Sequence, residues 1–219
     1  MSRRFCFSIS LSFFFSILFA VPAVADPGLA KGLIAGWGPS DWEFQPAAGE
    51  DTFESKNGFC AGAYLGGTMS GQFGWRGEVL FTRKGARSVN RAIDENGNDL
   101  GDLETEYNVD YLEVPLLVTW TFPLAGAVRP VIQFGPAIDF ELSARKETSY
   151  PSGIQLPFND DGDIQTAGST DFSLVVAGGI DIDAGGKVVN LQVRYVMGQL
   201  EVYRTFKNKT LTFMAGFGI

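Results

Sequence analysis

The sequence predicts an all-β protein: a closed antiparallel up-and-down transmembrane β-barrel, with eight strands. Three observations predict this fold class. Apolar and polar residues alternate with a period of two, long and short connections alternate along the chain, and the apolar positions carry almost no charge. The length of 219 residues suits one domain.

Eight segments show the alternation that a strand with two different faces requires. The clearest is Tyr111–Phe122, in which the even-numbered residues are all apolar, while Glu113, Thr119 and Thr121 lie on the opposite face. The eight predicted strands are Leu29–Trp37, Phe59–Thr68, Trp75–Lys84, Tyr111–Phe122, Val131–Leu142, Phe172–Asp183, Val189–Tyr195 and Leu211–Ile219.

The connections between these segments alternate in length. Three are long (Pro39–Gly58, Gly85–Asp110 and Ser143–Asp171), three are short (Met69–Gly74, Pro123–Pro130 and Ala184–Val188), and Gly198–Thr210 is intermediate. A membrane barrel with short periplasmic turns and long outer loops has this arrangement, whereas a generic β-sandwich does not require it.

The composition of the two faces separates a membrane barrel from a soluble one such as a lipocalin. The polar face is rich in Gly, Ala, Thr and Gln with scattered charges, which suits a narrow interior filled by side chains. The opposite face holds Leu, Val, Ile and aromatic residues, as lipid contact requires. Pro115 and Pro136 lie inside predicted strands, where each removes a hydrogen-bond donor, so we expect a bulge or an unpaired position at each.

Aromatic residues concentrate near the predicted strand ends, as they do at the two interfaces of a membrane. If the first strand runs outward, Trp75, Trp120, Phe122 and Phe217 lie at the periplasmic rim, and Trp37, Phe81, Phe140 and Phe172 lie at the outer rim.

The N-terminus predicts export by a cleaved signal peptide, residues 1–25. Arg3 and Arg4 precede the apolar run Phe5–Val21, and the small residues Ala23-Val24-Ala25 follow Pro22. The mature barrel domain is then residues 26–219. The alternative is an uncleaved membrane anchor, which would also be exported.

Composition excludes several classes of function. The formal net charge is -8, and no basic patch is present to bind nucleic acid. Removal of Cys6 with the signal leaves Cys60 alone, so no intramolecular disulfide and no thiolate metal cluster can form. The sequence contains no histidine, which removes Ser-His-Asp triads and histidine-ligated zinc. We therefore expect no enzymatic activity and no cofactor.

The inward-facing charges predict either a structural network that fills the lumen or a selective pore. They are Arg76, Glu78, Glu113, Asp139, Glu141 and Arg194. An interior only as wide as its side chains favours the network, because an unpaired buried charge is costly.

The acidic segment "DENGND" (Asp94–Asp99) resembles the start of a calcium loop, and "NDDGD" (Asn159–Asp163) is a second acidic turn. Asp94, Asn96 and Asn98 are weak candidate metal ligands, since Asp99 and Thr105 replace the Gly and Glu of an EF-hand. Solvated turns explain both segments more simply.

Several segments together resemble the porin-like outer-membrane β-barrel family of the PorT type, common in Bacteroidetes-like bacteria. They are "WRGEVLFTRKGAR" (Trp75–Arg87), "YLEVPLLV" (Tyr111–Val118), "RPVIQFGPAIDFELSA" (Arg129–Ala144), "DFSLVVAGGIDI" (Asp171–Ile182) and "LQVRYVMG" (Leu191–Gly198). The resemblance implies the outer membrane of a Gram-negative bacterium, contact with its lipid bilayer and insertion by the barrel-assembly machinery. One departure is the C-terminus, which ends Phe217-Gly218-Ile219 where such strands end in an aromatic residue.

These observations favour a non-enzymatic outer-membrane barrel that acts as a scaffold or through its surface loops. Three alternatives remain open at this point: a narrow porin for ions or small solutes, a soluble lipocalin-like ligand-binding barrel, and an accessory component of a secretion apparatus. An extracellular or periplasmic protein is a further candidate partner.

Overall fold

The computed structural model describes residues 29–43, 53–93, 99–149, 161–164, 170–198 and 207–219. These residues form nine antiparallel strands. The strands are β1 (Leu29–Glu43), β2 (Phe53–Ser70), β3 (Phe73–Ile93), β4 (Asp99–Thr121), β5 (Val128–Ser149), β6 (Gly162–Asp163), β7 (Thr170–Asp183), β8 (Val188–Gly198) and β9 (Lys207–Gly218).

Eight of these strands close into a ring. Each long strand pairs with the next long strand along the chain, and β9 pairs with β1, so the order around the barrel is β1-β2-β3-β4-β5-β7-β8-β9. The two-residue strand β6 pairs only with Arg145 and Lys146 of β5. The predicted fold class, an eight-stranded up-and-down barrel, is confirmed.

The register of the strands determines how wide the barrel is. The stagger is measured by stepping from each residue to its paired residue on the next strand. Starting at Leu29 of β1, these steps lead in turn to Gly67, Trp75, Val118, Phe134, Val176, Tyr195 and Leu211. Because Thr210 pairs with Ser40, Leu211 lies opposite Pro39. The path thus returns to β1 about ten residues from its start, a stagger that tilts the strands by roughly 40° and leaves an interior just wide enough for side chains.

At the end of the barrel opposite the short turns, referred to below as the outer end, several strands are much longer than the sequence predicts. Strands β3, β4 and β5 contain 21, 23 and 22 residues, whereas a tilted strand spans a membrane with roughly 9–11 residues. Most of the predicted loop Gly85–Asp110 is therefore strand, and the predicted loop Ser143–Asp171 begins with strand as far as Ser149. Outside the lipid both faces of a strand can be polar, so the period-two signal is lost there.

The two prolines interrupt the hydrogen-bonding ladder without shifting it. The β3–β4 pairing passes from Gly77–Leu116 directly to Leu80–Glu113, and the β4–β5 pairing skips the positions opposite Pro136. Neither gap changes the register. The expectation of an unpaired position is therefore met, and the alternative of a bulge is not, because a proline removes a donor without adding a residue.

Burial alternates along the strands as the two predicted faces require. From Val131 to Phe140 of β5, every second residue is buried and every other residue is exposed. The exposed face is apolar around the ring, and its most exposed side chains include Leu33, Trp37, Leu116, Phe134, Phe172 and Phe213. This outward apolar wall is the surface that lipid covers.

The inward-facing glycines permit close approach of neighbouring strands, and this predicts a difference between two glycines. A Cβ on Gly135 would collide with the carbonyl oxygen of Leu116, whereas a Cβ on the lipid-facing Gly178 meets no atom within 4 Å. We expect Gly135→Ala to destabilise the barrel by about 1–3 kcal/mol and Gly178→Ala to leave it unchanged. The temperature at which the folded band disappears in SDS gel electrophoresis measures both; equal losses would contradict the packing argument.

Candidate functional site in the barrel lumen

Seven charged side chains of the described residues are buried inside the barrel. They are Arg76, Glu78, Lys84, Glu113, Asp139, Asp171 and Arg194. They come from five strands, and in each strand the alternation that turns the apolar residues toward lipid turns these residues inward. A buried charge must be paired and hydrogen-bonded, so the contacts among these groups determine what the lumen can do.

The first cluster is centred on Glu78. Arg194 donates two hydrogen bonds to it, from Nη1 to Oε2 at 2.6 Å and from Nη2 to Oε1 at 2.8 Å. Arg76 Nε lies 2.7 Å from Oε1 of the same carboxylate, and the Arg76 guanidinium stacks 3.7 Å from the centre of the Tyr64 ring. Glu78 belongs to β3 and Arg194 to β8, which lie opposite each other in the ring. This ion pair therefore crosses the full width of the lumen.

The second cluster is centred on Lys84. Its Nζ lies 2.9 Å from Glu113 Oε2 and 2.9 Å from Asp139 Oδ2. Ser173 Oγ donates a further hydrogen bond to Asp139 Oδ2 at 3.1 Å. The ammonium also lies 5.2 Å from the centre of the Tyr111 ring. One cation thus holds two carboxylates from neighbouring strands.

A further contact crosses the lumen nearer its outer end. Asn208 Nδ2 on β9 donates a hydrogen bond to the Tyr111 hydroxyl on β4 at 3.1 Å, and these two strands also lie opposite each other. Between the polar contacts the interior is filled by the buried apolar residues Ile34, Cys60, Tyr64, Leu80 and Met214. Side chains therefore join opposite walls of the barrel at two levels.

The structure brings five of the six predicted inward charges into these clusters: Arg76, Glu78, Glu113, Asp139 and Arg194. Glu141 is only half-buried and joins neither cluster. Sequence reasoning did not assign Lys84 or Asp171 to the network. Lys84 lies an even number of residues, six, after Glu78 in an unbroken alternation, so both side chains face the lumen. This spacing is the signal that could have identified Lys84.

The predicted interface aromatics lie on the outer wall at the two ends of the apolar surface. At the turn end, Trp120 stacks on Phe122 with ring centres 4.6 Å apart and on Phe73, which the sequence missed, at 6.0 Å. Trp37, Phe140, Phe172 and Phe217 are exposed, while Trp75 and Phe81 are half-buried. Phe81 contacts a second residue that the sequence missed, Phe59, at 5.8 Å.

Beyond Phe59 and Phe81 the outer face of β2, β3 and β4 becomes charged. Arg83 donates two hydrogen bonds to Asp110, at 2.6 and 2.9 Å. Farther from the membrane, Arg87 bonds to Glu54 at 2.7 Å and to Glu104 at 2.8 Å, and these two hydrogen bonds raise the pKa of Arg87 above its ordinary value. The change from aromatic to ion-paired residues marks where this wall leaves the lipid.

Lys56 extends the charged surface onto β2. It forms an ion pair with Glu106 and donates a hydrogen bond to Asn108 Oδ1 at 2.8 Å. The ion pairs therefore connect three neighbouring strands above the membrane.

The weak calcium candidates Asp94, Asn96 and Asn98 lie outside the described residues. Within the described ranges, no three histidine, cysteine, aspartate or glutamate side chains come together as a metal site would require. That part of the chain also contains no helix long and apolar enough to cross a membrane.

A closed ring of eight strands with an apolar outer wall and a side-chain-filled interior defines a small membrane β-barrel. The family model described as the outer membrane protein β-barrel domain matches residues 31–199. The chain belongs to this family and is an integral protein of the Gram-negative outer membrane. The alternative of a soluble ligand-binding barrel is not supported, since its outer wall would have to be polar.

Solved structures with a similar fold include three outer-membrane proteins. Ail of Yersinia pestis, crystallised with the heparin analogue sucrose octasulfate, is 12% identical, with 88% of this chain and 99% of Ail covered and a TM-score of 0.45. Neisserial surface protein A is 14% identical, with coverages of 86% and 97% and a TM-score of 0.46. OprG of Pseudomonas aeruginosa is 12% identical, with coverages of 87% and 92% and a TM-score of 0.41. No significant relative is found among curated proteins.

The Glu78 cluster predicts that Arg194 is important for stability. In Arg194→Ala, Glu78 keeps Arg76 but loses both hydrogen bonds from the opposite wall, so we expect a loss of about 3–5 kcal/mol, as for other broken buried ion pairs. Arg83→Ala removes an arginine with a similar two-point contact at a half-exposed position and should cost no more than about 1 kcal/mol. Urea unfolding in detergent micelles, followed by tryptophan fluorescence, compares the two variants; equal costs would show that the lumenal pair has no special role.

Proposed function

We propose that the protein is a non-conducting, non-enzymatic barrel that acts as a scaffold in the outer membrane and through its outer surface. The observation that carries this proposal is the ion pair between Glu78 and Arg194. It joins opposite walls of the lumen, and both side chains are almost completely buried. A path for ions or solutes would have to break this pair and leave two charges unpaired.

The outer end offers the larger functional surface. Strands β3 and β4 continue past the aromatic rim for ten or so residues each, which is roughly 30 Å at the rise of a β-strand. Ion pairs among β2, β3 and β4 cross-link this region. A structured polar surface of this kind supports contact with an extracellular protein partner.

A non-enzymatic role is supported by the residues available for chemistry. The chain contains no histidine, and the Cys60 thiol is buried in the wall of the lumen. The two adjacent carboxyl groups of Glu113 and Asp139 are enclosed and held by Lys84, so no substrate can reach them. General acid–base chemistry requires access that these groups lack.

A finer classification as a PorT-type barrel is supported by the quoted segments from Trp75 to Gly198. Cleavage of a signal peptide after Ala25 is proposed separately, from the N-terminal residues. The PorT-type classification carries with it the proposals of insertion by the barrel-assembly machinery and an accessory role in secretion. Co-purification of a periplasmic or membrane partner with the full chain tests the last of these.

Conductance in planar lipid bilayers tests whether the lumen is closed. We expect the native protein to give no discrete current steps, and the double variant E78A/R194A to give them, because it removes the contact between the walls. The matched control R83A/D110A removes an arginine–carboxylate pair outside the lumen and should behave like the native protein. Steps from the native protein would instead establish the alternative of a narrow porin.

A further inference from the structure

Two carboxyl groups of the second cluster lie directly opposite each other on neighbouring strands. Glu113 of β4 pairs with Asp139 of β5 in the register, and both side chains face the lumen, with 2% and 1% of their surface exposed. Like charges at such a position destabilise a sheet. Both groups bind the same Lys84 ammonium, at 2.9 Å each. That single positive charge can balance only one of them.

The hydrogen bonds of Asp139 are unevenly divided between its two oxygens. Oδ2 accepts from Lys84 Nζ and from Ser173 Oγ, at 2.9 and 3.1 Å. Oδ1 is buried and has no hydrogen-bond partner among the residues that the structure describes. A buried acceptor without a donor is costly. A proton on the adjacent Glu113 would supply the missing donor.

The position of the missing donor also indicates which carboxyl group would hold the proton. The unpartnered acceptor Oδ1 belongs to Asp139, so the proton would lie on Glu113, directly opposite it in the register. Glu78 does not compete for this proton, because Arg76 and Arg194 both bind that carboxylate.

We propose that Glu113 carries a proton at neutral pH and donates it to Asp139, so that the lumen contains a hydrogen-bonded carboxyl–carboxylate pair. The charged and titratable groups around Glu113 are Lys84 of β3, Asp139 of β5 and Arg194 of β8, with Glu78 of β3, Cys60 of β2, Tyr111 of β4 and Asp171 of β7 farther around the lumen. When the pH rises and the proton leaves, two adjacent carboxylates share one ammonium. The barrel is therefore less stable in alkaline solution than at neutral pH.

Infrared spectroscopy of the purified barrel in lipid tests the proposal directly. At neutral pH the native protein should show the C=O stretching band of a protonated carboxyl group, and E113Q should lack it. The matched control E106Q changes a glutamate on the outer surface of the same strand, where it pairs with Lys56, and should keep the band. Absence of the band from the native protein, or its persistence in E113Q, overturns the proposal.

The pH dependence of unfolding gives a second measurement. The side-chain amide that E113Q introduces donates a hydrogen bond to Asp139 at every pH, so this variant should lose the alkaline destabilisation that the native protein shows. An unchanged pH dependence overturns the proposal. If E113Q does not fold, D139N takes its place: Glu113 then pairs alone with Lys84 and ionises, and the infrared band should disappear. A band that remains in D139N also overturns the proposal.

Discussion

The closure of eight staggered strands into one narrow ring is the constraint on which the rest of this structure depends. A ring of this size has room only for side chains, so every inward position must be filled and every inward charge must find a partner. The wall that results has no free edge in the lipid. The same alternation that turns Phe134 outward turns Gln133 inward, and so a single geometric rule determines both surfaces of the barrel.

The outer half of the molecule follows a different rule. Where lipid ends, the outward face of β2, β3 and β4 no longer needs to be apolar, and ion pairs such as Arg83–Asp110 replace aromatic contacts. These exposed pairs contribute little stability individually. Their importance lies in holding three strands in register beyond the membrane, so that this part of the protein begins as an ordered sheet.

How much of the fold the sequence predicts depends on whether a strand segment lies inside or outside the lipid. Within the membrane, strands such as Val131–Leu142 could be located because one face must be apolar and the other is polar. The strand extensions 85–93 and 99–110 could not, because their outward face carries charged residues such as Arg87 and Asp110 instead of an apolar series. The sequence also indicated five of the seven described charges that point inward. It could not indicate that Arg194 selects Glu78, or that Lys84 holds Glu113 and Asp139, because those choices depend on the stagger between strands distant in sequence.

The 116-residue separation between Glu78 and Arg194 has a consequence for biogenesis. Until β8 is in place, Glu78 lacks the two hydrogen bonds that Arg194 donates, so the lumenal face of β3 must remain hydrated or shielded by another protein. An incomplete barrel that entered the lipid early would carry the Arg194 binding site open and unsatisfied, which bilayer hydrocarbon strongly disfavours. The buried charges of β3 therefore favour insertion of the barrel only after its last strands are present.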